Sequence, residues 1–240
     1  MRQILRRRLG LGEPARGSRL RPAVESWQDL PLLLLTIGAA ATSIAALLLH
    51  AAHWIRMPYT ISFATLPGLV TIVCIAIWAG LSDRKLMFNR IAVGTTAGTM
   101  GLLAYDLSRL LFQILLPGHF SAFYSITAFG SLITGQRPTT YFAVVLGWAY
   151  HVSNGLTFAI IYSLLAGPIR WWYGLIMATI LELGMLLVYP SMPLLRPSSF
   201  GVFVATSIGG HAAYGAVVGL SCERHAASDA SPAGIGTCIG

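Results

Sequence analysis

Residues 30–49 read LPLLLLTIGAAATSIAALLL, an apolar run without a single charged side chain. About 20 apolar residues cross the hydrocarbon core of a bilayer as one helix, whereas a strand of a membrane barrel needs only about 9–11. The apolar region of a cleaved secretory signal is also shorter, at about 7–15 residues. The run therefore predicts an uncleaved transmembrane helix.

The whole chain has the composition of a membrane protein. Of its 240 residues, 55% are hydrophobic and 10% are charged, and the mean hydropathy is +0.70. Soluble domains contain about 25% charged residues, so a soluble globular protein is excluded. Five further apolar runs, at 66–81, 91–116, 141–166, 172–189 and 200–220, predict an all-α polytopic transmembrane helical bundle of about six spans.

One more stretch, at 119–135, is apolar but shorter and rich in hydroxyl side chains: HFSAFYSITAFGSLITG. We interpret it as a re-entrant or interfacial hairpin, with a seventh span as the alternative. The predicted organisation is a basic cytoplasmic tail over 1–29, a transmembrane domain over 30–221, and a disordered C-terminal tail over 222–240. The last segment is small and polar, with too little apolar surface to offset the entropy of ordering.

Basic residues are distributed unevenly along the chain. Fifteen of the 16 are arginines, and seven of these lie within the first 21 positions. With a cytoplasmic N-terminus, six spans place twelve basic residues inside and three outside, as the positive-inside rule requires. We expect an integral membrane protein with this orientation in a bacterial inner membrane. The expected partners are the bilayer, anionic headgroups at the Arg-rich N-terminus and other membrane proteins; no nucleic-acid-binding fold is present.

Ionisable residues inside predicted spans are the main functional signal, because each costs roughly 2.5–3.5 kcal/mol to insert and usually faces the interior of the bundle. Asp106, His151, Glu182 and His211 lie on four different spans, each within about three residues of the span's midpoint. At ~1.5 Å per residue this is at most ~5 Å. The sequence predicts that these four residues share one depth and form a metal or proton site.

Helical spacing places other polar residues near these four. Arg109, Asn154, Tyr214 and Thr179 are predicted to surround the site. The simplest alternative for Asp106 is an ion pair with Arg109 within one helix, and the histidines and Glu182 could equally serve as helix–helix contacts. Gly94, Gly98 and Gly101 form a small-residue stripe typical of close helix packing.

Short motifs add little. His151 and His211 each begin a His-x-x-x-Gly sequence, at 151–155 and 211–215, which is too short a match to establish an internal repeat. The three cysteines have no metal-binding spacing, and the catalytic motifs HExxH, GxSxG, P-loop and GxGxxG after a strand are absent.

Three classes of function remain. The leading hypothesis is a midplane His/carboxylate site that handles a metal ion or protons, with transport as its purpose. Its cofactor would be a divalent transition metal or none. The second is a membrane-embedded enzyme acting on a lipid or isoprenoid with a carboxyl as general acid, or a protein holding haem b between two histidines. The third is a structural or assembly subunit of a membrane complex.

Overall fold

The computed structural model describes residues 20–116, 121–188 and 200–226, and every regular element in these ranges is helical. Residues 1–19 and 227–240, which include most of the two predicted tails, lie outside the described ranges. We number the helices α1 to α7 in chain order. They are α1 Leu30–Ala51, α2 Met57–Leu81, α3 Lys85–Leu115, α4 Tyr124–Thr134, α5 Tyr141–Ala166, α6 Trp172–Val188 and α7 Phe200–His225.

Four of these helices, α1, α2, α5 and α7, are long and apolar enough to cross a membrane. The predicted count of six is therefore recovered only in part. Helix α6 is apolar but has 17 residues, and α3 has 31 residues but carries Asp106, Arg109 and several Gly and Thr residues. Helix α4, within the predicted hairpin at 119–135, has 11 residues and at ~1.5 Å per residue measures about 16 Å, roughly half a bilayer core.

Helices α3 and α5 form the centre of the bundle. Helix α3 packs against both α5 and α7, α5 also contacts α1 and α4, and α6 packs along α7. Two glycines of the predicted stripe allow the central contact: a Cβ on Gly94 would lie 3.0 Å from the Ala159 carbonyl oxygen, and one on Gly98 would lie 2.9 Å from that of Gly155. Gly101 instead faces α7, where Tyr214 and Val218 occupy the space.

The outer surface of the bundle is apolar. Phe63 is 80% exposed and Leu187 is 82% exposed, and they belong to a large set of exposed apolar side chains. A soluble monomer rarely exposes apolar patches of this extent. Thr36, Thr95 and Thr206 donate to carbonyl oxygens four residues back at 2.7–2.9 Å, which satisfies these hydroxyls within their own helices. Both features fit a helical protein in a lipid bilayer.

The polar segment before α1 packs against the end of α5. The backbone N–H of Ala23 donates to the Leu164 carbonyl oxygen at 2.8 Å. Asp29, which is buried, forms an ion pair with Arg84 at the start of α3. At the other end of the chain, α7 continues to His225, so the described helix ends four residues beyond the predicted boundary at 221.

Candidate functional site

The first pair of interest joins α3 to α5. Asp106 Oδ1 lies 3.0 Å from His151 Nε2. The two side chains are 21% and 14% exposed, so both are largely shielded by the bundle. The contact follows from the close approach of the two backbones at Gly98 and Gly155, eight and four residues away. We call Asp106–His151 the first pair.

The second pair joins α6 to α7 and is more deeply buried. Glu182 Oε2 lies 2.7 Å from His211 Nδ1 and accepts a second hydrogen bond from the Ser207 hydroxyl at 2.7 Å. Glu182 is 4% exposed, and within the described ranges its other oxygen, Oε1, is buried without a hydrogen-bond partner. We call Glu182–His211 the second pair.

The surroundings of His211 fix its tautomer. Its Nδ1 is also 3.0 Å from the Ser207 carbonyl oxygen, and a carbonyl oxygen can only accept. Nδ1 therefore carries a hydrogen, as is common where an imidazole faces a backbone carbonyl or a carboxylate. Nε2, on the opposite edge of the ring, is the position at which His211 can gain or lose a proton or bind a ligand.

Tyr105 on α3 contacts both histidines. The centroid of its ring lies 5.5 Å from that of His151 and 5.3 Å from that of His211. Its hydroxyl accepts a hydrogen bond from Arg109 Nη1 at 2.9 Å, so the hydroxyl hydrogen remains for another acceptor. Because the Tyr105 ring contacts both histidines, the two pairs lie at one site.

A cavity of about 100 Å³ lies at this point, and we call it the central cavity. Side chains from α1, α3, α4, α5, α6 and α7 line it, including both histidines, Tyr105 and Arg109. Asp106 and Glu182 contact these imidazoles and are not part of the lining. Because one water needs only about 10–15 Å³ on this measure, the cavity has room for several waters or a small solute.

The predicted site residues come together in two pairs rather than in one group of four. Within the described ranges, no three His, Cys, Asp or Glu side chains are grouped so that they could hold a metal ion. A metal site with His151, His211 and Glu182 as its ligands is therefore not formed in the part of the chain that the structure describes.

The predicted neighbours of the site divide into two groups. Asn154 and Tyr214 line the central cavity and also link helices: Asn154 accepts from Ser43 at 2.6 Å, and the Tyr214 hydroxyl donates to the Gly155 carbonyl oxygen at 2.6 Å. Thr179, in contrast, lies on the exposed face of α6 and donates to its own helix at Leu175. It lies on a different face of α6 from the one that borders the cavity.

Arg109 has a role that its spacing from Asp106 did not reveal. Asp106 forms its ion pair with His151, whereas Arg109 is 2% exposed and donates through Nε to the Ala122 carbonyl oxygen at 2.7 Å. The Gln113 side chain accepts from the Ala122 N–H at 2.7 Å. These contacts hold the segment before α4 against the C-terminal end of α3.

Tyr105 was not identified from the sequence as a site residue. Its position four residues before Arg109, on the same face of the helix, was a usable signal.

Comparison with known proteins places this site within a family. No curated protein and no solved structure matches the chain. One family model, described as a family of unknown function (DUF6789), matches residues 88–232, which is more than half of the chain. The match includes both acid–imidazole pairs and omits α1 and α2. The chain therefore belongs to the DUF6789 family.

Proposed function

We propose that this protein is a membrane transport protein whose two acid–imidazole pairs carry protons through the interior of the bundle. The observation that supports the proposal most directly is the pairing itself. Each histidine contacts a carboxylate at 3.0 Å or less, and both imidazoles border one small cavity beside Tyr105. Chains of Asp, Glu and His inside membrane proteins are typical of proton relays.

The second pair has the atoms that a relay step needs. A proton from a hydronium ion in the cavity can bind His211 Nε2 while the hydrogen on Nδ1 passes to Glu182 Oε2, 2.7 Å away. One O–H bond of the hydronium ion and one N–H bond break, while one N–H bond and one O–H bond form, so the imidazole is neutral before and after. The first pair can act in the same way through His151 Nε2 and Asp106 Oδ1. The Ser207 hydroxyl holds the Glu182 carboxylate in position for this step.

The same proposal includes six spans, with the N-terminus in the cytoplasm of a bacterial cell and the bundle in its inner membrane. Helix α3, at ~1.5 Å per residue, is about 46 Å long and lies between α5 and α7, and α6 lies along α7. Together with the four apolar helices, these two make six. Helix α4 would then be re-entrant, reaching the central cavity from one side of the membrane. The excess of basic residues in the predicted inner segments supports this orientation.

A metal ion is the second candidate cargo or cofactor, and one observation favours it. Histidines that bind metals usually donate their other ring hydrogen to a carboxylate, which orients the imidazole. Both pairs have this arrangement, so His151 and His211 could provide two ligands from the wall of the cavity. A haem or an isoprenoid fits less well, because pockets for such molecules usually measure about 300–1,000 Å³ and the central cavity is about 100 Å³.

The test is proton flux into liposomes that contain the purified protein and an internal pH-sensitive dye. A potassium diffusion potential supplies the driving force. We expect Asp106→Asn, Glu182→Gln, His151→Ala and His211→Ala each to lower the flux by about tenfold or more, because a relay step contributes on the order of 10²–10⁴ in rate. Thr179→Val is the matched control, since Thr179 faces outward, and it should leave the flux unchanged.

One result would contradict the proposal, and another would replace proton transfer with metal binding. A His151→Ala/His211→Ala double variant that inserts normally and conducts protons like the unaltered protein would contradict it. Elemental analysis of the purified protein provides the second result. One metal per chain, lost in both histidine variants, would replace proton transfer with metal binding.

A further inference from the structure

The two acid–imidazole pairs occupy equivalent positions in two copies of one structural unit. We call α3 with α5 the first hairpin and α6 with α7 the second hairpin. Gly98 precedes Asp106 by eight residues, and Gly174 precedes Glu182 by eight residues; each histidine is followed four residues later by a glycine. A shift of 76 residues relates α3 to α6, and a shift of 60 residues relates α5 to α7.

The contacts between the helices repeat with the sequence. A Cβ on Gly98 would lie 2.9 Å from the Gly155 carbonyl oxygen, and a Cβ on Gly174 would overlap that of Gly215. These glycines correspond under the two shifts, as do the two acids and the two histidines. In each hairpin the helices are antiparallel, and the acid of the first helix meets the histidine of the second. The His-x-x-x-Gly motif is therefore part of an internal repeat of two helices.

Both hairpins run in the same direction, because α3 is antiparallel to α7 as well as to α5. Repeats of this kind are found in transporters, where the substrate lies at the interface between the copies. The central cavity lies at that interface, since residues at corresponding positions line it from the two sides. These corresponding residues are Tyr105 and Leu181, Arg109 and Met185, His151 and His211, and Asn154 and Tyr214.

The two halves of the cavity differ in charge. The first hairpin places Arg109 in the lining, whereas the second places Met185 at the equivalent position. The other titratable groups of the lining are Tyr105, His151, His211 and Tyr214; the lining residues from α1, α4 and α6 are uncharged. The two acids contact the imidazoles and are not among the lining residues. The wall of the cavity therefore carries a fixed positive charge and no acidic side chain, and such a wall concentrates anions.

We propose that the central cavity binds a small anion, of a few non-hydrogen atoms, and that the anion moves together with a proton held by one of the pairs. This inference rests on the proposed proton function and adds its substrate class. When the anion enters, one pair takes up a proton from a hydronium ion in the cavity. One O–H bond of the hydronium ion breaks and one O–H or N–H bond forms on the pair, so no net charge enters the low-dielectric interior. The proton is released with the anion on the other side.

The experiment uses the full-length protein in liposomes with formate, nitrate or chloride as the probe anion and gluconate as the large anion. Internal pH is followed after an anion gradient is imposed without a membrane potential. We expect acidification with at least one small anion and not with gluconate. Anion binding is measured separately in detergent through the fluorescence of Trp148, whose ring centroid lies 5.7 Å from that of His151, with Trp148→Phe as the blank.

Arg109→Met is the decisive variant, because methionine already occupies the equivalent position in the second hairpin. It should weaken anion binding by about tenfold or more, the loss expected when a charged partner is removed. Arg109→Lys, which keeps the charge, should restore part of the binding, and Thr179→Val should change nothing. Both variants lack the guanidinium that donates to the Ala122 carbonyl oxygen. Anion binding that Arg109→Lys retains therefore shows that the segment around Ala122 folds without the guanidinium.

The possible outcomes separate the two proposals. Proton flux that is lost in the pair variants but is the same with every anion would overturn this inference and leave the proton function standing. Anion binding that depends on the charge at Arg109, without any proton flux, would support the anion site and contradict the proton function. Absence of both, or unchanged anion binding in Arg109→Met, would overturn the anion site.

Discussion

Replacing Glu182 with glutamine measures how strongly the second pair holds α6 to α7. Glu182 is 4% exposed, and its Oε2 accepts from Ser207 and contacts His211, each at 2.7 Å. A hydrogen bond to a charged group contributes about 1.5–3 kcal/mol in proteins, although measured couplings between membrane helices average about 0.6 and reach about 1.7 kcal/mol. We expect a coupling free energy near the top of the membrane range, about 1.5 kcal/mol.

The first pair provides an internal comparison. Its side chains are 21% and 14% exposed, against 6% and 16% in the second pair, and its distance is 3.0 Å rather than 2.7 Å. Better solvation and a longer contact both weaken an ion pair. The coupling free energy between Asp106 and His151 should therefore be below about 1 kcal/mol.

The assay is a pair of double-mutant cycles on the free energy of unfolding, measured by denaturant titration in mixed micelles. One cycle combines Glu182→Gln with His211→Ala, and the other combines Asp106→Asn with His151→Ala. Because a cycle subtracts the effects of the single substitutions, it isolates the interaction between the two partners. A first-pair coupling equal to or larger than the second would refute the reasoning from burial and distance.

Three further predictions concern packing. Tyr214→Phe removes the hydrogen bond to the Gly155 carbonyl oxygen but keeps the ring, so it should lower the free energy of unfolding by about 1 kcal/mol; an unchanged value in denaturant titration would contradict the contact. Gly174→Val should separate α6 from α7 and reduce the yield of folded monomer in size-exclusion chromatography, because its Cβ would overlap the Gly215 carbonyl oxygen. Gly184→Ala is the matched control with no atom within 4 Å of its Cβ, and it should keep the yield of the unaltered protein.

The sequence predicts where most of the helices lie, but it does not predict which helices pack against one another. Apolar runs located α1, α5, α6 and α7 to within a few residues, because long helices are the elements that satisfy their backbone in lipid. Helix α3 begins at Lys85 rather than at 91, since its first turns are polar and lie outside the apolar run. Helix α2 begins at Met57 and includes a π-helical turn at Ile61–Thr65 just before Pro67, which hydropathy does not register.

For the candidate site, too, the sequence predicts positions but not contacts. The positions of Asp106, His151, Glu182 and His211 followed from the cost of ionisable groups in lipid, but a single sequence does not specify which acid meets which histidine. The internal repeat was also hidden, because two different shifts relate its helices. The first hairpin has α4 between its helices and the second has a shorter connection at 189–199, so no single period aligns both parts.

In the six-span arrangement proposed above, the polarity of α3 also affects how the chain enters the membrane. A helix with an aspartate and an arginine in its interior, and without the apolar length of α1 or α5, is a poor substrate for insertion by itself. The partner of Asp106 is His151, which the ribosome adds 45 residues later. In that arrangement we expect α3 to remain beside the translocon, or to enter together with α5, until Asp106 meets His151. We therefore expect the first hairpin to insert as a unit, against which α6 and α7 then assemble.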